Sequence, residues 1–369
     1  MPYFCRPALN TNVHSAPIAA VSLILFQFSY PHPSQLRPRA IRKFSELDSP
    51  GSILLIAFSV LLVFGLNEGS IAPSGFRSAL FVGPLVASIV SLIALVIWQI
   101  AIANDITLMF PKTITPLFPT RLLRNRPYVA AVACTLATGL PTLTLLFALP
   151  LRLQIVNGLN ALTAGTALLP MLCASAVGSV IAGFVTSRSQ VYYLLLSIGA
   201  ALTTLGCALL TTLDGAVVVQ HKMYGFEVLV GLGFGLTVAC STGMSIRITN
   251  PEDGAVATGS VSQARLLGGS IGIAAFSAVL GGLMGESHHG ASVGETAGLS
   301  PEALTSIRSA YADAFTETMK ICAVFAGVAV LCGLASYKKR VKEFAIVEKT
   351  QEMERTESIG AVGRSDDMS

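Results

Sequence analysis

The sequence predicts an all-α, polytopic membrane protein with eight to nine transmembrane helices, and three observations lead there. Charged residues make up 12% of the chain and apolar ones 53%, whereas a soluble domain carries about 25% charged residues. The apolar residues gather into runs close to the roughly 20 residues a helix needs to cross a bilayer. Lys and Arg gather on alternate connections, the asymmetry that orients spanning helices.

The runs lie at 50–66, 78–102, 128–149, 161–186, 191–212, 224–246, 256–284 and 315–337. None shows the strict alternation of a membrane barrel strand. A lone segment in lipid must also close its backbone hydrogen bonds internally, which leaves the helix. The shorter segment 16–30 reads as a terminal or partial span. It is not read as a secretion signal, because Ser29-Tyr30-Pro31-His32-Pro33 offers no small-x-small cleavage site.

Basic residues follow the first segment (Arg37, Arg39, Arg42, Lys43) and precede the run at 128 (Lys112, Arg121, Arg124, Arg126). Further ones lie on two later connections (Arg188, Arg247 and Arg265) and open the tail (Lys338, Lys339, Arg340, Lys342). The opposite side carries Arg6, Arg77, Arg152, Lys222, Arg308 and Lys320. This places the C-terminus in the cytoplasm, and with nine helices the N-terminus outside. The tail from 343 on alternates acidic, basic and small polar residues and reads as disordered.

Composition and motif also exclude. A net charge of +4 spread in this way names no nucleic-acid partner. Cys5, Cys134, Cys173, Cys207, Cys240, Cys322 and Cys332 stand singly, with no C-x-x-C, and read as small packing residues. The adjacent His288 and His289 sit on a Gly-rich outer loop and read as solvated, not as metal ligands. With His14, His32 and His221 they are the only histidines, none of them within a confident span, so an enzyme is not expected. No cofactor is expected either: Gly231, Gly233 and Gly235 spell part of a dinucleotide fingerprint, but no strand–turn–helix surrounds them.

Three segments carry more than hydropathy. Residues 149–170 join two spans through Gln154, Asn157, Gly158 and Asn160, with Gly165 and Pro170 expected inside the next helix. Gly231 and Gly235 form a small-x-x-x-small face for close helix packing, and Gly268 and Gly272 form another. The segment Asn250-Pro251-Glu252-Asp253-Gly254 leads into a helix that carries Arg265 roughly seven residues in. An arginine at that depth is costly unless it is paired or reaches back to the membrane surface.

In this order and spacing, the segments resemble the C-terminal half of the fourteen-helix drug:proton antiporter family of the major facilitator superfamily. The resemblance covers about 47 to 337. Leu47-Asp48-Ser49-Pro50-Gly51 resembles the lead-in to the family's first extra central helix. Phe118-Pro119 with Leu122-Leu123-Arg124-Asn125-Arg126 resembles the lead-in to its last six helices. Gln154, Gly158, Gly165 and Pro170 match its outer turn. Glu252, Gly254, Ala257, Thr258, Gly259, Arg265, Gly268, Gly269 and Gly272 match its late cytoplasmic loop and helix.

The resemblance implies an incomplete major-facilitator fold: an N-terminal segment with a partial helix (1–49), two extra central helices (50–127), a six-helix bundle (128–337) and a tail (338–369). It implies efflux of a small hydrophobic drug or secondary metabolite, with the lipid bilayer, that substrate and protons as partners. The plasma membrane is expected before the vacuolar one. Thr138, Thr142 and Thr144 around Pro141 are expected on the substrate path, with Gln154 and Asn157 at its outer mouth. Arg188, Glu252, Asp253 and Arg265 form the expected cytoplasmic gate. In Gly183-Phe-Val-Thr-Ser187-Arg188 the family's loop motif is degraded, with Ser where Asp is expected. The first five family helices are missing on this reading, and no Asp or Glu lies in the middle of a span after 128. A proton-carrying carboxylate is therefore expected elsewhere, and the chain alone is expected to be a truncated, transport-incompetent product. The alternative is a non-transporting receptor or scaffold derived from the same fold.

Overall fold

The computed structural model describes residues 48–71, 79–103, 124–189, 191–213, 218–249, 253–284 and 301–336, with a few isolated positions. Of the 16–30 run, only Val21, Leu23 and Ile24 are described, all helical. Glu252, His288, His289 and the tail lie outside the described residues. The helices are α1 (Ser49–Ile71), α2 (Ala79–Ala103), α3 (Arg126–Ile155), α4 (Ala161–Thr166), α5 (Leu169–Arg188), α6 (Tyr192–Leu210), α7 (Lys222–Ile248), α8 (Gly254–Met284) and α9 (Pro301–Ala335). The chain divides into two compact units, Met1–Leu47 and Asp48–Ser369, and α1 to α9, the helices named among the described residues, lie in the second. Among the described residues there is no strand. Among the described residues, seven helices are long and apolar enough to cross a membrane, with α4 and α5 counted as one, and α1 holds a shorter apolar helix, Ser49–Gly65.

Helix ends follow local chemistry. Asn125 is extended and α3 starts with Pro127 in its first turn, where the missing N–H has no partner to lose. The helix continues through Pro141 and Pro150, six residues beyond the predicted end, because Leu153 and Ile155 are buried and hold it in register. It closes where Gly158 takes φ +68°, a left-handed conformation open to glycine. There the Leu159 amide donates to the Leu153 carbonyl at 3.1 Å. Asn160 then caps α4, its side chain accepting from the Thr163 amide at 2.8 Å.

Two expectations need correction. Pro170 does not kink a helix interior: the helix breaks after Thr166, and Pro170 sits in the first turn of α5. The loop before residue 315 is shorter than expected, because α9 begins at Pro301. Its Ile307, Tyr311 and Ala312 are buried against Ile155 and Val156 at the end of α3. Glu302, Arg308 and Asp313 obscured that apolar stripe in the sequence.

α3 is the centre of the bundle: 67% of its apolar stretch is buried, against 17% for that of α2. It packs on α7, α8 and α9, while α7 also packs on α5 and α6, and α6 on α9. Exchanging α3, α4/α5 and α6 with α7, α8 and α9 maps these main seams onto one another. Since two spans, α4/α5 and α6, lie between α3 and α7, the two run in opposite directions, the pattern of an inverted repeat. The α1–α2 hairpin joins this bundle through α1 against α8, where Gln263 Nε2 donates to Ser59 Oγ at 2.9 Å. The outward side chains of α2, such as Val86, Ile89, Val90, Ile93 and Ile97, are exposed, as suits a helix with lipid for solvent.

Glycine sets the closest approaches. A Cβ at Gly268 or Gly272 of α8 would collide with the Leu136 carbonyl or the Thr144 hydroxyl of α3, and one at Gly139 of α3 with the Arg265 carbonyl. In the related seam, a Cβ at Gly231 or Gly235 of α7 would collide with the Met171 or Ser175 carbonyl of α5, and one at Gly178 with the Leu232 carbonyl. The hairpin is held differently. Asp48 is 2% exposed, and its Oδ1 accepts from the Gly51 amide and Trp98 Nε1, each at 2.8 Å. Its Oδ2 accepts from Gln99 Nε2 at 2.7 Å, so one carboxylate caps α1 and ties down the end of α2.

Gly235→Ala and Gly268→Ala should each lower unfolding stability in detergent by about 1–3 kcal/mol through overpacking. Gly183→Ala, which faces open space, should be neutral or gain up to about 1 kcal/mol from helix propensity. Asp48→Ala should cost about 1–3 kcal/mol by leaving buried donors unpaired, with Asp48→Asn intermediate, as measured by thermal unfolding of the purified chain.

Candidate functional site

The polar interior begins on α3. Thr138 and Thr142 are each 2% exposed and Thr144 0%. Their hydroxyls donate to the Cys134, Thr138 and Leu140 carbonyls of their own helix. Thr144 also stands against Gly272 in the α3–α8 seam. The three threonines around Pro141 therefore sit within the bundle, not on an exposed wall, and their hydroxyls serve the carbonyls near the proline. Ser241 and Ser245 of α7 and Thr203 of α6 follow the same habit, each 0% exposed and donating to its own helix. At the far end of α3, Gln154 and Asn157 are half-buried, and Gln154 Nε2 donates to the Pro150 carbonyl at 3.3 Å.

At the opposite end lie the residues expected to gate the path. Arg188 is the last residue of α5, exposed, with its guanidinium over the Phe184 ring at 4.4 Å. Asp253 precedes α8, and its carbonyl accepts from the Ala257 amide at 2.9 Å. Arg265 is half-buried and sits eleven residues past the start of α8, deeper than the seven read from the sequence because the helix starts at Gly254. At 1.5 Å per residue that is about 16 Å along the helix. Its Nη2 lies 3.5 Å from Ser241 Oγ, and its guanidinium is 5.9 Å from the Phe234 ring centroid. Arg265 thus bridges α8 to α7, while Arg188 turns to its own helix. Tyr192 of α6 takes Arg247 over its ring at 5.5 Å.

Two further ionisable groups lie inside the bundle. Arg152 of α3 is 4% exposed, with its guanidinium over the Phe315 ring of α9 at 5.1 Å. Glu227 of α7 is 0% exposed. Glu227 lies near one end of its run, outside the span middles in which the sequence shows no Asp or Glu, and the sequence reading did not single it out. The signal that finds it is helical spacing: Met223, Glu227, Val230 and Gly231 share one buried face. Among the described residues, no three His, Cys, Asp or Glu converge as a metal site would need.

The Major Facilitator Superfamily model matches residues 15–273. An MFS-type transporter, FPY5, of Fusarium mangiferae is 31% identical over 299 residues, covering 78% of this chain and 49% of the relative. The efflux pump apf11 of Gibberella fujikuroi is 29% identical, over 70% of this chain and 45% of the relative. The chain thus spans about half the length of the curated relatives it matches. Among solved structures, an inward-facing, occupied bacterial homologue of the human lysosomal transporter Spinster aligns at TM-score 0.49 and 15% identity, over 78% of this chain and 66% of that one.

The Arg265 bridge makes a measurable claim. A double-mutant cycle of Arg265→Gln with Phe234→Leu should return a coupling of about 0.5–2 kcal/mol in unfolding stability, and a cycle of Arg188→Gln with Phe234→Leu none.

Proposed function

Because the chain belongs to the Major Facilitator Superfamily, we propose that it serves the export of a small, largely hydrophobic molecule, driven by proton influx. The observation that carries this reading is the pair of glycine seams, α3 on α8 and α5 on α7. Helices in backbone contact move as rigid pairs, and transport by alternating access needs rigid units that rock about a fixed site. The name of the Gibberella relative, an efflux pump, favours export over uptake, and the lipophilic composition of the bundle favours a hydrophobic cargo.

In this reading Gln154 and Asn157 form the mouth of the path at one end, with Arg188, Glu252, Asp253 and Arg265 at the other. Thr138, Thr142 and Thr144 lie inside the α3–α8 pair, where they shape α3 around Pro141 behind the path. The basic asymmetry favours the Arg188 end, and the C-terminus with it, as the cytoplasmic side, and the plasma membrane is the proposed location.

The test uses the full chain in lipid nanodiscs with a lipophilic cationic dye as probe. Saturable binding, weakened several-fold by the paired change Gln154→Ala and Asn157→Ala, is the expected result. Dye uptake equal to that of empty discs would overturn the reading. Dye flux in vesicles carrying the same chain separates export from a receptor that binds without moving its ligand.

A further inference from the structure

Several buried side chains of the described bundle leave a polar atom without a hydrogen-bond partner, Thr318 Oγ1 among them, and Glu227 is the one with the most at stake. It is 0% exposed, and neither of its carboxyl oxygens has a hydrogen-bond partner. Its neighbours on the same face, Met223 and Val230, belong to an apolar cluster with Leu149, Cys207, Leu210 and Phe315. The α6 backbone closes over this stretch: a Cβ at Gly206 would meet the Val230 side chain and approach the Phe226 carbonyl. On the other flank Gly231, one turn on, lies against Met171 of α5.

Each helix packed on α7 offers few groups that could answer a charge. From α3 comes Arg152, whose guanidinium lies over Phe315 of α9. From α6 comes the thiol of Cys207, buried in the same cluster. From α8 comes Arg265, engaged with Ser241 and Phe234 further along α7. The cation of α5, Arg188, lies at that helix's far end. On α7 itself, Lys222 donates to the Thr212 carbonyl at 3.0 Å. None of these reaches the Glu227 oxygens.

An ionised carboxylate left dry and unpaired is so costly that such a group takes up a proton instead. A glutamate kept inside a spanning bundle without a structural partner is, by that cost, a candidate for function. We propose that Glu227 is a proton-binding site of this bundle, holding a proton while α7 is packed on α3 as here and yielding it to water when α7, together with α5, parts from α3. On release the carboxyl O–H bond breaks, the proton passes to water, and hydration of the opened seam stabilises the carboxylate left behind. No other reactant takes part. The site gives the proposed proton influx a place in this half of the chain. Only the use of the proton rests on the export reading; its binding does not.

The experiment is infrared difference spectroscopy of the full chain in nanodiscs. Wild type should show a protonated-carboxyl band at neutral pH that exchanges slowly in heavy water, is missing in Glu227→Gln and returns in Glu227→Asp. Glu227→Gln, a near-isostere, should melt at or above the wild-type temperature; should it fail to fold, Glu227→Asp carries the assignment through a shifted band. Identical carboxyl bands in wild type and both variants would overturn the proposal. In vesicles under an imposed pH gradient, dye flux should rise several-fold for wild type and not at all for Glu227→Gln, with dye binding retained. Equal acceleration of both would overturn the coupling role. A wild type without flux sinks the export reading alone, since the infrared band still decides whether Glu227 holds a proton.

Discussion

Backbone-to-backbone contact between helices, α3 with α8 and α5 with α7, is the constraint from which the other placements follow. In lipid there is no hydrophobic force to press helices together, so association relies on close packing, and only a residue without a Cβ lets two backbones come this near. The consequences reach the charged residues. Seating the Arg265 backbone on Gly139 fixes where that side chain leaves α8, and its guanidinium is delivered to Ser241 and Phe234 of α7. Seating Gly231 on Met171 turns the face one helical turn earlier inward, and Glu227 goes with it.

The two buried carboxylates of the described residues show what the interior permits. Asp48 stands at a helix start and gathers an amide, an indole and a carboxamide. Its charge is balanced by donors and serves to hold a hairpin together. Glu227 has no such company, so the interior supports it only as an acid. The first arrangement suits a fixed joint; the second suits a group whose state changes as the joint moves.

Much of this architecture was legible in the sequence because lipid enforces simple rules. All eight long runs appear as helices, since no other structure satisfies their backbones. The spacing of Gly231 with Gly235, and of Gly268 with Gly272, marked faces that do meet other helices in the structure. What resisted reading depends on which neighbour a side chain meets. Thr138, Thr142 and Thr144 carry the same hydroxyl whether they line a cavity or serve a carbonyl beside a proline, and sequence cannot choose between these. Pro170 looks alike inside a helix and in its first turn. The first turns of α9 were hidden because Arg308 and Asp313 interrupt an apolar stripe that only the end of α3 makes meaningful. Glu227 lies away from the span's middle and carried no signal of its own in the sequence, since burial depends on the facing helices and not on depth alone.

The Asp48 joint has one more property. The chain contains a single tryptophan, and its indole N–H is committed to Asp48 at 2.8 Å. Indole emission shifts in colour and yield with the hydrogen bond and polarity around the ring. Excited at the red edge, where the eight tyrosines hardly absorb, the intrinsic fluorescence is therefore an optical readout of one place, the seam between α1 and α2. Light collected from unlabelled protein reports whether that hairpin stays shut while the rest of the bundle changes shape.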